Sequence, residues 1–229
     1  MSEFEVAGES DAEWLTSSEH PSFVGRQAEL SVVLTALGQT SNRVLTICGL
    51  PGIGKTRLAV EVARRLTDDP AHAGVDAVST VFISLAGCDD DLNLAATFAG
   101  AYATQPAADV GQAVSAAKGA ELVILDSAEY LSVNPDQLGR LTADRGRLPL
   151  VVTSVRPLGL ADEHVLVLGP LSLTGEDREA EAVQLFLDRA TAASVSFRRG
   201  TADAALVNEL CHQLDGNPLA IELAAARVR

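Results

Sequence analysis

Cysteine is sparse in this 229-residue chain: three residues, Cys48, Cys88 and Cys211, with no CxxC pair among them. That spacing excludes a disulfide framework and a cysteine zinc site, and leaves reduced thiols as the expectation. No apolar run reaches the roughly 18 residues of a membrane span. The acidic N-terminus lacks the basic-then-apolar order of a signal peptide, so a cytoplasmic protein with no membrane partner is expected. Positive charge is also short, with 17 Lys and Arg against 31 Asp and Glu, a net charge of −14 and a pI near 4.6. Such a field repels phosphate backbones, so direct nucleic-acid binding by this segment is not expected, although a small anion can still be held by one local loop. Aromatics are only 4% of the chain and no internal repeat is present. What remains is an alanine-rich, 47% apolar sequence of ordinary globular balance, suited to helices packed through small side chains.

Residues 1–20 are acidic and aperiodic and read as a leader or linker. A helix is predicted from Gln27, with Leu30, Val33, Leu34 and Leu37 on one face and Gly38 as its stop. Five short apolar runs follow: Arg43–Cys48, Thr80–Leu85, Glu121–Asp126, Pro149–Ser154 and His164–Leu168. Helical patterns separate them, after the second run at Leu92–Ala103 and Val110–Lys118 and after the third at Pro135–Asp144. Alternation of this kind predicts an α/β fold with a mostly parallel sheet covered on both faces. Beyond Pro170 the strands stop. Val183, Phe186, Leu187 and Ala190 mark one helix, and Leu206, Val207, Leu210, Cys211 and Leu214 another, ended by Gly216. Asn217 caps a third helix, with Pro218 in its first turn and no stop before the last residue. The expected organisation is therefore a leader (1–20), a nucleotide-binding domain (21–170) and a small helical domain (171–229), in a chain expected to be a piece of a longer protein.

The first strand runs into GLPGIGKT, Gly49–Thr56, and a helix follows at once. This is the G-x-x-x-x-G-K-[ST] pattern in the strand–loop–helix setting it requires. Gly49, Gly52 and Gly54 permit backbone angles that a Cβ forbids. Together with Leu50 and Ile53, in a loop that also contains Pro51, they present N–H groups to a polyphosphate, reinforced by the helix N-terminus at Lys55, Thr56 and Arg57. Lys55 is placed to reach the β- and γ-phosphates, and the Thr56 hydroxyl to bind Mg²⁺. The expected ligand is a nucleoside triphosphate, ATP or its product ADP, with Mg²⁺.

LVILD places Asp126 at the end of a buried strand about 70 residues after Lys55, where an aspartate faces the loop threonine across Mg²⁺. The next position, where hydrolytic relatives of this loop carry a second carboxylate, is Ser127. Glu129 is the candidate substitute for orienting a water; the other reading is a solvated loop glutamate. Thr153, Ser154 and Arg156 stand at the exit of PLVVTSVRP. If that strand lies between the P-loop strand and LVILD, Thr153 and Arg156 reach the γ-phosphate region; otherwise Arg156 is a surface charge.

FVGRQAEL (Phe23–Leu30), GLPGIGKTRLA, LVILDSAEYL, VVTSVRPLG and CHQLDGNPLAIELAAARVR occur in this order over residues 21–229. The set resembles the STAND class of signalling P-loop ATPases, nearest to the large bacterial ATP-binding transcriptional regulators, which are related to NB-ARC domains. The resemblance implies a five-stranded parallel sheet in the order 5-1-4-3-2 with a helical lid. It implies that Val24, Gly25 and Arg26 border the adenine, that Pro218 of Gly216-Asn217-Pro218 packs on it, and that Arg156 senses the γ-phosphate. Winged-helix, repeat and effector domains would follow in such a protein and are absent from these residues. Self-association with ATP and slow hydrolysis are further implications.

Two functions compete at this level. One is a switch module set by ADP or ATP. The other is a P-loop kinase for a small acceptor, which needs a lid bearing arginines, with Arg189, Arg198 and Arg199 the available ones. A scaffold without turnover stays open because of Ser127, and the absence of an NKxD motif counts against a GTPase.

Overall fold

The computed structural model describes residues 4–7, 22–38, 44–68, 80–87, 122–129, 149–175, 179–194, 197 and 203–228. Six strands form one sheet: β1 (Phe4–Ala7), β2 (Val44–Cys48), β3 (Thr80–Ser84), β4 (Leu122–Asp126), β5 (Leu150–Ser154) and β6 (Glu163–Val167). Every residue of β2, β3, β4 and β5 is buried. Burial on both faces is why these segments read as continuous Val/Ile/Leu runs rather than alternating ones. The order is β1-β3-β4-β5-β2-β6 and every pair is parallel. Numbered from the P-loop strand, the last five are the expected 5-1-4-3-2 arrangement. β5 does lie between β2 and β4, in register Val44↔Leu150 on one side and Val123↔Leu150 on the other.

The sixth strand is a difference. Phe4–Ala7, inside the stretch expected to be a leader, pairs with β3 in the register Phe4↔Thr80. Four residues with acidic neighbours carry too little periodicity to be seen, and their partner lies far away in sequence. β6 is the opposite edge, with Val165 and Val167 exposed.

The chain divides into two compact units: Met1–His20, Ala28–Gly49 and Lys55–Val167 form one, and Pro21–Gln27, Leu50–Gly54 and Leu168–Arg229 the other. The first holds the sheet, α1 (Gln27–Leu37) from Ala28 onward, and α2 (Lys55–Asp68). α1 buries Leu30 and Val33, and α2 buries Leu58, Ala59, Val62, Ala63 and Leu66. Each large aliphatic buried this way contributes about 1.5–3 kcal/mol.

The second unit is built from α3 (Glu181–Ala193), α4 (Ala204–Gln213) and α5 (Pro218–Ala225). Its core joins Leu171, Val183, Phe186, Val207, Cys211 and Ile221, and fully buried Ala182, Ala190 and Ala225 let the helices approach. Asp203 caps α4 through the Ala205 and Leu206 amides. Asp215 and Gly216, at φ 50° and 63°, end α4 by donating to His212 O and Cys211 O at 3.0 and 3.1 Å. That pair of bonds is a Schellman motif. Asn217 then caps α5 through the Ala220 amide, with Pro218 at its first position. α5 stops at Ala225 rather than running to the last residue: the final turn tightens, with Arg227 and Val228 donating to Ala224 O and Ala225 O. The helices expected at Leu92–Ala103, Val110–Lys118 and Pro135–Asp144 lie outside the described residues, as do Cys88, Arg198 and Arg199.

Candidate functional site

β2 delivers Gly49 at its C-terminal end, where the Gly49 N–H donates to Ser154 O of β5 at 3.3 Å. α2 starts at Lys55, whose Nζ donates to Gly49 O at 2.9 Å. One residue on, Thr56 Oγ1 donates to Asp126 Oδ1 at 2.6 Å, joining the first turn of α2 to the end of β4 across β5. Thr153, buried at the end of β5, donates from its own hydroxyl to the same Asp126 oxygen at 2.6 Å and accepts from the Ser127 N–H at 2.9 Å. The Ser127 hydroxyl lies 3.2 Å from Asp126 Oδ2, donating to it, on a backbone turned to φ 58°. Asp126, itself 5% exposed, is thus ringed by three hydroxyls. Charge-assisted bonds of this kind fix a carboxylate in one rotamer.

The middle of the loop belongs to the helical unit. Leu219 N–H donates to Gly52 O at 3.2 Å, and a Cβ on Gly52 (φ 74°) would stand 2.8 Å from Leu219 Cβ, so only glycine fits. Asn217 and Pro218 are thereby brought to the loop. Ile53 N–H closes a turn on Leu50 O at 3.3 Å. Among the described residues, the Gly52 and Gly54 N–H groups have no acceptor. Val24 packs against the helical core. Gly25 meets the Glu181 side chain so closely that a Cβ would come within 2.6 Å of its carboxyl carbon. Arg26, 5% exposed, donates from its N–H to Glu181 Oε1 at 2.8 Å and from its guanidinium to Gly169 O, Pro170 O and Ile53 O. A cleft of about 580 Å³ in this unit runs along Ser22–Gly25 and α3, but Glu179, Glu181 and Asp188 line it, which disfavours phosphate.

The remaining candidates scatter. Arg57 lies on α2, Glu129 is half-buried in the turn after β4, and Leu50 is 67% exposed. Arg156 is exposed, and its N–H meets Ser154 Oγ at 3.4 Å. Arg189 is held by Glu222, Asp188 and the Ser22 carbonyl, which does not suit a mobile lid arginine. The sequence does not mark Glu163 or Glu61, and it marks Cys48 only as a reduced thiol. Glu163 accepts from the Leu158, Gly159 and Leu160 amides and so shapes the loop that follows Arg156. Cys48, directly before Gly49, has its thiol pushed up to about 11 by burial, with Glu163 adding and Lys55 opposing. Glu61 is buried on α2. Burial acts to raise its carboxyl, but Arg64 and Arg65 outweigh that and hold it below the usual range.

A hydroxyl and a carboxylate oxygen 2.6 Å apart are the hard oxygen donors that Mg²⁺ prefers. Among the described residues no cluster of three or more His, Cys, Asp or Glu could hold a metal unaided. That fits a Mg²⁺ carried in with phosphate oxygens, held by Thr56 and Asp126, rather than a protein-caged ion. The unaccepted Gly52 and Gly54 amides are themselves suited to an anion.

A family model described as AAA ATPase domain matches residues 22–221. A protein of Mycobacterium tuberculosis, provisionally named an HTH-type transcriptional regulator, is 35% identical over 196 residues, 82% of this chain and 20% of that one. The chain therefore spans about a fifth of that relative's length. Among solved structures, the ORC1 protein of Aeropyrum pernix in complex with DNA superposes with a TM-score of 0.60 at 22% identity, over 93% of this chain and 62% of that one. A STAND protein with a tetratricopeptide repeat sensor, from Pyrococcus horikoshii, gives 0.51 at 18%, over 93% and 31%. At such identities the likeness is one of fold.

Proposed function

The chain belongs to the AAA ATPase domain family, and we propose that it is an ATP/ADP-binding switch module of a larger transcriptional regulator, with slow ATP hydrolysis. The observation that carries this reading is the 2.6 Å Thr56–Asp126 bond at the start of the helix that follows the loop. It supports a reading in which this part of the chain binds a triphosphate with Mg²⁺. Lys55 would neutralise phosphate charge, and Mg²⁺, when bound, would be held by Thr56 and Asp126 and would supply further neutralisation of that charge. The name of the mycobacterial relative and the STAND-like motif order support the regulatory assignment. With a net charge of −14, DNA contact falls to other parts of such a regulator.

Slow turnover follows from Ser127. The position next to Asp126 carries a hydroxyl donated to Asp126 rather than a carboxylate able to orient water. A switch needs ligands with different affinities for its two states, and the γ-phosphate supplies that difference here. Calorimetry with ADP, ATP and GTP tests this, with turnover followed in the same samples. Adenine-selective binding with turnover below about one per minute is expected, against a typical enzyme median of roughly 10 s⁻¹. Lys55→Ala should abolish most triphosphate affinity and Asp126→Asn the Mg²⁺ dependence; if both bind Mg-ATP like the parent, the site is misassigned.

A further inference from the structure

Arg26 is a buried cation whose guanidinium donates to main-chain carbonyls. Its Nη2 donates to Gly169 O at 2.6 Å and to Ile53 O at 3.4 Å, while Nη1 reaches Pro170 O at 3.4 Å. Glu181 fixes the backbone beneath it by accepting the Arg26 N–H, and its other oxygen takes the Ser172 N–H at 3.2 Å. The backbone at Gly25 and Arg26 is left-handed twice in succession, at φ 71° and 62°. For a non-glycine residue that conformation costs about 1–2 kcal/mol and persists only where surrounding contacts enforce it.

The Ile53 carbonyl matters because of what lies across its peptide plane. In a trans peptide, C=O and the following N–H point in opposite directions, and the described chain has no cis bond. Drawing Ile53 O toward Arg26 therefore aims the Gly54 N–H away from Arg26. That N–H has no acceptor among the described residues. Gly54 sits at φ 95°, with no described heavy atom within 4 Å of where its Cβ would stand. The adjoining plane is gripped in the same way by Leu219 N–H on Gly52 O, which leaves Ile53 N–H to the Leu50 turn. Of these two grips only the one from Arg26 is a side chain.

We propose that Arg26 is a positioning residue for phosphate: by holding Ile53 O from outside the loop, it presents the Gly54 amide to the anion. This rests on the phosphate-binding reading of Gly49–Thr56 and places the influence of Arg26 at the phosphate end of a nucleotide rather than at its base. Lysine retains the charge but replaces a planar fork with a point donor, so Arg26→Lys should lose the effect as Arg26→Gln does.

The test uses the full chain, with Mg-ADP, Mg-GDP and inorganic tripolyphosphate as probes in calorimetry well below the melting temperature. Both variants should bind ADP and tripolyphosphate about tenfold more weakly, by equal factors, with the ADP-over-GDP preference unchanged. Loss for ADP alone would place Arg26 at the base and overturn the proposal. A lowered melting temperature with both affinities intact would reduce Arg26 to a structural role and overturn it too. In the parent protein, the ¹⁵N-labelled Gly54 amide proton should shift downfield on adding tripolyphosphate, a readout that needs no variant; an unmoved resonance is equally fatal. A parent that binds none of the probes would sink the phosphate reading itself, a result distinct from variants that bind like their parent.

Discussion

Replacing Gly216 with alanine isolates the point where the α4–α5 turn meets the chain entering the helical unit. Three costs add. A Cβ at φ 63° adopts a conformation that L-residues avoid, about 1–2 kcal/mol. It would stand 2.5 Å from Leu171 O, a main-chain atom that cannot rotate aside, and relieving that overlap costs about 1–3 kcal/mol. Any shift also lengthens the 3.0 Å bond from Leu171 N–H to Gly216 O, about 1 kcal/mol more. The sum is about 3–6 kcal/mol, or roughly 6–24 °C in melting temperature for a chain of this size. Gly54→Ala is the control: it has positive φ with open space at its Cβ, so strain alone remains, about 1–2 kcal/mol. Thermal melting followed by circular dichroism measures both, and hydrogen exchange at the Leu171 amide localises the damage. If Gly216→Ala costs no more than Gly54→Ala, the close approach is not what requires glycine there.

Thr153→Val keeps shape but leaves the Ser127 N–H without its acceptor and Asp126 without one of its donors. A stability loss of about 1–3 kcal/mol is expected by urea titration, together with weaker Mg²⁺ dependence of ATP binding. Unchanged stability would argue that the hydroxyl is not needed there. Cys48 is neutral when protonated and its thiol is raised from 9.0 to about 11, so the native state holds its proton longer than the unfolded chain does. Its contribution is complete below about pH 9 and is lost as pH climbs toward 11, by at most about 3 kcal/mol. Cys48→Ala should flatten that part of the stability profile; an identical slope would refute the assignment. Glu61, held low by Arg64 and Arg65, acts in the opposite sense. Its contribution is present above about pH 4.5 and fades as pH falls through the depressed native value. Because both arginines are about half-exposed, Glu61→Gln should cost only about 1 kcal/mol at neutral pH, with a shallower acid limb in denaturant titrations.

The parts visible from sequence are those where chemistry or double-sided burial leaves a dense signature. GLPGIGKT fixes both residue type and spacing, and Asp126 ends a run that only a central strand tolerates. The placement of β5 beside β2 was foreseen as a condition and is met. Phe4–Ala7 was missed because an edge strand is held by distant pairing rather than by its own pattern. Arg26 was legible as part of a motif, but its contacts were not, since Ile53 O, Gly169 O and Pro170 O are backbone atoms that every sequence contains. Likewise the bonds of the Thr153 hydroxyl to Asp126 and the Ser127 amide depend on the pairing of β4 with β5 and were not visible in the sequence. Asp215 is a left-handed residue without being glycine, and the Schellman geometry that demands it appears only once α4 and α5 are packed.

The place of β2 in the sheet sets an order of assembly. Among the described residues its partners are β5 and β6, and its register begins at Val44↔Leu150 and Val44↔Glu163. During synthesis the loop-bearing strand therefore emerges before either of these partners, and more than a hundred further residues separate Val44 from Leu150. Pairings at that separation close late and slowly. A nascent chain halted before Leu150 would carry the complete phosphate-loop motif while lacking both of these strand partners, so the loop-bearing strand enters the sheet late in folding rather than early.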